Sequence, residues 1–234
     1  GIQRGGVSMS ELFLQLFENG TFWKGLWETV YMVVISTAFA YLLGLPLGVI
    51  LNVTGAGGLC PVPWLHRVLG VIVNIFRSIP FIILMVAMVP VSRLIVGTAL
   101  GNRAMIVVLV IAAAPYVARM VESSLSEVDP GVIEAANAMG STRFQIVTKV
   151  LLPEAKPSLI VGAVISTVTV LGYSAMASTI GGGGLGAIAI VWGHQRLRED
   201  VVWFCVLLVV ILVQLIQEGG MRFARRVDKR TKNS

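Results

Sequence analysis

Polar and apolar positions divide the chain into five long apolar stretches separated by shorter polar ones. The apolar stretches cover 30–53, 68–90, 104–121, 159–177 and 201–221. Each is close to the roughly 20 residues a helix needs to cross a bilayer. Their length favours helices over strands. The predicted fold is all-α: a polytopic helical membrane protein with five transmembrane helices in one transmembrane domain spanning 30–221. An odd number of crossings places the two termini on opposite sides of the membrane.

Composition agrees with this class. Of 234 residues, 56% are hydrophobic and 13% charged, against roughly 25% charged in a soluble domain. Charge then sets the direction. With the C-terminus inside, the cytoplasmic side holds Arg67, Arg119, Arg143, Lys149, Lys156 and the basic tail 222–234 with Arg222, Arg225, Arg226, Lys229, Arg230 and Lys232. The outer side holds Arg4, Lys24, Arg93, Arg103, Arg196 and Arg198. Because Lys and Arg near span ends accumulate inside, the N-terminus is expected outside and the C-terminus in the cytoplasm. The net charge of +6 needs no nucleic-acid partner, since a basic tail beside a span pairs with anionic membrane lipid.

The N-terminal segment 1–29 precedes the first span. Residues 1–8, GIQRGGVS, carry no Met and are expected to be left over from expression; 11–17 is expected to lie along the outer surface. Cys60 and Cys205 are far apart with no CxxC spacing, which indicates neither disulfide nor metal site. His66 and His194 read as loop residues without a partner at ligand spacing.

The stretch 122–156 is too polar for lipid, yet it is well marked for helix. Asp129 before Pro130 is an N-cap and first-turn pair, and Gly140 is a left-handed terminator. Thr142 with Gln145 forms a capping-box pattern, and Pro153 marks the next break. In the first short helix Val132, Ala136 and Met139 recur at i, i+4 and i+7, with Ala135 beside them. Such a face packs on its own spans or docks a partner; spacing leaves the two evenly open.

Two features inside the spans invite a functional reading. Arg77 falls within the second predicted span, where an arginine costs about 2.5–3.5 kcal/mol. Such residues face a cavity or a partner, unless they snorkel to the surface. No acid in a span offers itself, and Pro80, lacking an N–H, frees the Phe76 carbonyl as a local acceptor. On the fourth span Gly162, Ser166, Thr169 and Tyr173 recur at i, i+4, i+7 and i+11. Helix packing is the commoner use of such a stripe, and pathway lining is the other. Arg77, Ser78, Ser166, Thr169, Tyr173 and Met176 are the candidate pathway residues.

The set Glu134-Ala135-Ala136, Gly140 and then Val150-Leu151-Leu152-Pro153 resembles the EAA loop of permease subunits of ATP-binding-cassette importers. Val150 in place of Ile is its one conservative departure. The runs 74–82 (NIFRSIPFI), 115–122 (PYVARMVE) and 172–177 (GYSAMA), with 181–186 behind them, resemble the permeases of methionine importers within that family. The likeness runs from Leu26 to the tail.

The resemblance implies a type I importer permease in a bacterial cytoplasmic (inner) membrane. It implies a cytoplasmic coupling helix that seats in the ATPase subunit through Glu134, Ala135, Ala136, Met139 and Gly140. The implied partners are a second copy of the chain, two ATPase subunits and an extracytoplasmic methionine-binding protein. No cofactor is expected on this chain, because ATP and Mg would be held by the ATPase. The chain is not expected to be an enzyme by itself.

The residues agree that the motor lies elsewhere. No Lys here follows a Gly, so the phosphate-cradling GxxxxGK[ST] loop is absent. The glycine run 181–186 lacks that Lys and reads as a flexible turn on the outer side; the resemblance makes it a cap over the pathway. An importer for another amino acid is the alternative. An ion-driven secondary transporter would more often show internal repeats and intramembrane acids, and an intramembrane enzyme would need a nucleophile–base pair, paired carboxylates or a metal cluster.

Overall fold

The computed structural model describes residues 9–228. The expectations for 1–8 and for the tail from Lys229 onward lie outside the described residues. Helix α1 (Met9–Glu18) leads into α2 (Thr21–Thr54), α3 (Pro63–Ser78), α4 (Phe81–Ala87), α5 (Val89–Val96) and α6 (Gly101–Ser126). The polar interruption folds as α7 (Pro130–Ala138), α8 (Arg143–Ile146), a π turn (Val147–Leu151) and α9 (Leu152–Glu154). Helix α10 (Lys156–Ser174) runs on as a 3-10 turn (Ala175–Ile180). After the glycine run come α11 (Leu185–Ala187), a π turn (Ile188–Gly193), a 3-10 turn (His194–Arg196) and α12 (Glu199–Val227).

Four of the five predicted spans are single crossings, on α2, α6, α10 with its 3-10 extension, and α12. Each outruns its apolar stretch. The 34 residues of α2 make ~51 Å of helix, well beyond a core about 30 Å thick. The second span differs from its prediction: α3 and α4 meet at a bend of 103°. Pro80 has no N–H to continue the helix, and a residue before proline is driven out of helical conformation. Ile79 is accordingly extended, at φ −79° and ψ 124°.

The broken segment still completes a crossing. Asn52 at the end of α2 donates to Ser126 at the end of α6 (3.0 Å). Near their beginnings, Glu28 on α2 and Asn102 on α6 both hold the glycine run. Helices α2 and α6 are therefore parallel neighbours, and the chain must return through the membrane between them. It does so through α3, α4 and α5.

Helix α6 is the hub. Most of its apolar window is buried inside the chain, against 11% for α12. Helix α2 approaches α6 through Gly44 and Gly48. A Cβ at Gly44 would lie 2.8 Å from the Ala114 carbonyl oxygen, and one at Gly48 2.5 Å from that of Ala118. Only hydrogen fits there, so the two backbones touch, as small residues permit between membrane helices. Met32, Ala40, Met105, Val108, Leu109 and Val117 share the core these helices enclose.

Two polar ties hold α3 on this pair. The His66 Nδ1 lies 3.0 Å from the Leu51 carbonyl, so His66 opens a helix instead of sitting in a loop. Arg119, counted among the charges of the cytoplasmic side and inside the third predicted span, is tied into the bundle by its polar contacts. It donates to the Gly70 carbonyl (3.2 Å) and Asn74 Oδ1 (3.1 Å) and pairs with Glu122 (2.7 Å). These bonds neutralise a guanidinium that lipid would penalise.

Candidate functional site

At the end of the bundle that carries α7–α9, local chemistry follows the sequence closely. Asp129 Oδ1 accepts from the Gly131 N–H (2.8 Å). Gly140, at φ +79°, ends α7, and the Ser141 N–H reaches back to the Ala136 carbonyl (3.1 Å); this satisfies carbonyls that a helix end leaves free. The Thr142–Gln145 capping box is complete. Pro153 breaks nothing: a π turn precedes it and helix resumes at Leu152, so the interruption falls at Ala155.

The predicted apolar face of α7 divides in two. Ala136 is 2% exposed and packs inward, whereas Met139 is 79% exposed. Glu134, Ala135 and Val132 are also exposed. Phe144, on α8 and 76% exposed, belongs with them although sequence reasoning passed over it. Ile133 packs on the main core and anchors α7 from beneath. The result is a firmly held helix that presents Val132, Ala135 and Met139 outward. An arginine at Ala136 would disrupt the chain's own packing; one at Ala135 would test the outward face.

Inside the bundle the candidate pathway residues separate. Ser166 is buried, with its Oγ donating to the Gly162 carbonyl (2.8 Å). A Cβ at Gly162 would meet Met120 at 3.5 Å, so this end of the stripe serves helix packing. Thr169 Oγ1 and Ser78 Oγ likewise donate to carbonyls one turn back, those of Ile165 (2.9 Å) and Asn74 (2.8 Å). Met176 lies exposed on the 3-10 turn.

Arg77 and Tyr173 do come together. Both line a cavity of about 140 Å³ with Phe76, Ile79, Phe81, Leu84, Ala112 and Tyr116. Tyr173 stacks on Phe81 with ring centroids 4.3 Å apart and planes 2° apart. Arg77 makes no hydrogen bond or ion pair with any described residue, and the Phe76 carbonyl is not its acceptor. Phe81 and Tyr116 were missed in the sequence because the bend at Pro80, which carries α4 against α6 and α10, was read as straight helix.

At the opposite end the glycine run is pinned, which overturns its reading as a flexible turn. Three consecutive N–H groups take side-chain acceptors from two helices. Gly183 donates to Asn102 Oδ1 (2.6 Å), Gly184 to Glu28 Oε2 (2.9 Å) and Leu185 to Thr29 Oγ1 (2.9 Å). A Cβ at Gly183 would collide with the Glu28 carboxylate, and Gly184 sits at φ +98°, so glycine is needed for both space and conformation. A partly buried cleft of about 570 Å³ opens beside the run. Each lost acceptor leaves a buried donor unpaired at about 1–3 kcal/mol. Glu28→Ala combined with Asn102→Ala is therefore expected to speed amide exchange at 183–185 by about tenfold or more, read by hydrogen–deuterium exchange; unchanged exchange would mean that the run is held otherwise.

Among the described residues no cluster of three or more His, Cys, Asp or Glu is arranged to hold a metal. The bundle carries an outward helix at one end, a guanidinium without a partner among the described residues in the middle, and a pinned loop at the other end.

Known proteins place this arrangement. The chain is 51% identical over 204 residues to the probable D-methionine transport system permease protein MetI of Vibrio cholerae, which covers 87% of this chain and 91% of that protein. It is 54% identical over 153 residues to the D-methionine transport system permease protein MetI of Escherichia coli (65% of this chain, 70% of that protein). Among solved structures it is similar to a chain of the inward-facing MetNI methionine ABC transporter, with 50% identity, TM-score 0.86 and coverage of 88% of this chain and 95% of that one. It also shares the fold of an amino acid ABC transporter solved with histidines, at 20% identity and TM-score 0.75. The pattern of one transporter family matches residues 44–233, and the chain belongs to that family, the binding-protein-dependent transport system inner membrane component.

Proposed function

We infer that this chain is the permease subunit of an ATP-driven methionine importer. The observation that carries the reading is the likeness, at 50% identity and over most of both chains, to a chain of the inward-facing MetNI methionine ABC transporter. ATP hydrolysis belongs to a separate ATPase subunit, and this chain supplies the membrane path.

In the assembled transporter two copies of the chain sit on two ATPase subunits, with a methionine-binding protein docking on the outer face. The N-terminus is outside and the C-terminus cytoplasmic in a bacterial inner membrane. Arg143, Lys149, Lys156, Arg222 and Arg225 lie on the α7–α9 and α12 end, which supports placing that end inside. The helix α7 then stands in water because its partner is soluble. Glu134, Ala135, Met139 and Gly140 form the coupling surface, with Ala136 holding the helix down from within. Movement of α7 by the ATPase is transmitted to the spans, and access to the pathway alternates between the two sides. Arg77, Ser78, Thr169, Tyr173 and Met176 lie along that pathway, and Ser166 packs behind it.

The test is uptake of labelled methionine into vesicles holding this permease with its ATPase and a methionine-binding protein. ATP-dependent accumulation is expected. Accumulation of a different amino acid in preference to methionine would move the substrate assignment, and uptake without the ATPase would remove the importer reading.

A further inference from the structure

The cleft beside the pinned glycine run carries charge that the pinning does not use. It lies between the first turns of α2, the start of α6 and the run itself. Lys24 on α2 and Arg103 on α6 line it, and both are exposed with no ion pair or hydrogen bond to any described residue. Among the described residues its one acid is Glu28, whose Oε2 already accepts from the Gly184 N–H. Asn102 spends its Oδ1 on Gly183, and its amide N–H groups meet no acceptor among the described residues. Donors and positive charge therefore outnumber acceptors, which is the composition of an anion site.

Depth indicates where the anion comes from. The 34 residues of α2 and the 26 of α6 make ~51 Å and ~39 Å of helix, and both outrun a hydrocarbon core about 30 Å thick. Lys24 and Arg103 stand in the first turns of these helices and so fall in the headgroup layer. Trp23 and Trp27, 58% and 69% exposed, mark the same level, since tryptophan collects at the membrane–water boundary. Leu100, exposed at the rim of the cleft, offers an acyl chain an apolar contact beside the charge.

We propose that this cleft binds an anionic phospholipid with a hydroxylated headgroup, of the phosphatidylglycerol kind, through Lys24 and Arg103. Arg103 presents its fork of donors to two phosphate oxygens and Lys24 adds a point charge, with the Asn102 amide as a further donor. The Glu28 Oε1, which takes no donor from the described residues, accepts from a headgroup hydroxyl. A choline headgroup would bring a third cation next to Lys24 and Arg103 and no hydroxyl for Glu28, so phosphatidylcholine is the poorer ligand. The volume of about 570 Å³ lies within the ~300–1,000 Å³ of small-ligand sites. The proposal needs only that the chain spans a membrane, and it concerns a resident lipid rather than the transported solute.

The experiment uses the permease–ATPase complex in nanodiscs of phosphatidylcholine doped with a phosphatidylglycerol that carries a diazirine on its headgroup. After illumination, peptide mapping is expected to place label on 21–28, 98–103 or 181–188. Unmodified phosphatidylglycerol should displace it; added phosphatidylcholine, and glycerophosphoglycerol, which is the same headgroup without chains, should not. Lys24→Gln combined with Arg103→Gln should lower the labelling by about tenfold or more, and Arg103→Lys alone by less. Arg222→Gln combined with Arg225→Gln, at the other end of the bundle, should leave it unchanged, which separates a site from general attraction to basic residues. Each variant is compared as an intact complex recovered on gel filtration, and the lipid competition on the unsubstituted chain needs no variant. Label elsewhere, equal displacement by phosphatidylcholine or by glycerophosphoglycerol, or labelling untouched in the Lys24–Arg103 double variant would overturn the lipid site. Absent label, together with a double variant that no longer captures the methionine-binding protein, would give the cleft to an acidic protein surface and overturn it equally.

Discussion

Replacing Gly48 with valine will prevent α2 from seating on α6, and the permease will not be recovered as a folded, ATPase-binding subunit. A Cβ at this position would meet the Ala118 carbonyl oxygen at 2.5 Å and the Val121 Cβ at 2.6 Å. The first of these atoms is backbone in the middle of the hub helix and cannot turn aside. Overpacking a tight site costs about 1–3 kcal/mol even where side chains can shift, and valine adds two further methyl groups. Gly48→Ala should fall within that range and appear as a lower unfolding temperature in detergent. At Gly44, pairing Gly44→Ala with Val117→Ala should restore part of the loss. The remainder reflects the Ala114 carbonyl, 2.8 Å from the new Cβ, which no side-chain change removes. Full stability in Gly48→Val would mean that α2 and α6 do not touch here.

Ala135→Arg is expected to uncouple the transporter while leaving the permease folded. Ala135 is exposed on α7, so arginine meets no atom of its own chain. Where the helix enters a partner's groove, it adds bulk and an unpaired charge, and loss of a hot-spot contact near the centre of an interface costs about 2 kcal/mol or more, equivalent to about thirtyfold in affinity. Met139→Arg, on the same exposed side, should do the same. The measurements are ATPase co-purification and ATP-driven uptake in vesicles. Ala136→Arg gives the contrast: with Ala136 2% exposed, its damage should appear first as lost stability of the permease itself. Normal assembly and uptake in both Ala135→Arg and Met139→Arg would exclude α7 as the coupling surface.

The two predictions join at α6. Its C-terminal end leads directly into α7, and its middle is gripped by α2 through Gly44 and Gly48. On the coupling reading proposed above, a push on α7 would reach the most buried of the described spans, whose other end holds the pinned glycine run through Asn102. Rigid packing of this kind moves as a body instead of deforming locally, which suits a device that opens one end as it closes the other.

What the sequence determined by itself was whatever depends on local chemistry. Apolar length marked α2, α6, α10 and α12, because a bilayer demands about 20 apolar residues wherever they occur. Asp129, Gly140 and the Thr142–Gln145 box marked the ends of α7 and α8, because caps are satisfied within a few residues of the chain. Even the bend at Pro80 was visible in principle, since proline both stops the helix and extends Ile79; the apolar run across it masked the signal. The Gly44 and Gly48 pair was legible in the same way, as two small residues four apart.

Tertiary structure alone decided the rest. Nothing in the spacing of Val132, Ala136 and Met139 says that Ala136 turns inward, because which side of α7 is covered depends on Ile133 finding the core. Arg119 became a bundle residue through Gly70 and Asn74, partners from a helix far away in sequence. The glycine run acquired its rigidity from Glu28, Thr29 and Asn102, and Arg77 acquired its aromatic neighbours from α6 and α10. Each of these depends on contacts between segments far apart in the chain, and such contacts exist only once hydrophobic burial has brought the helices together.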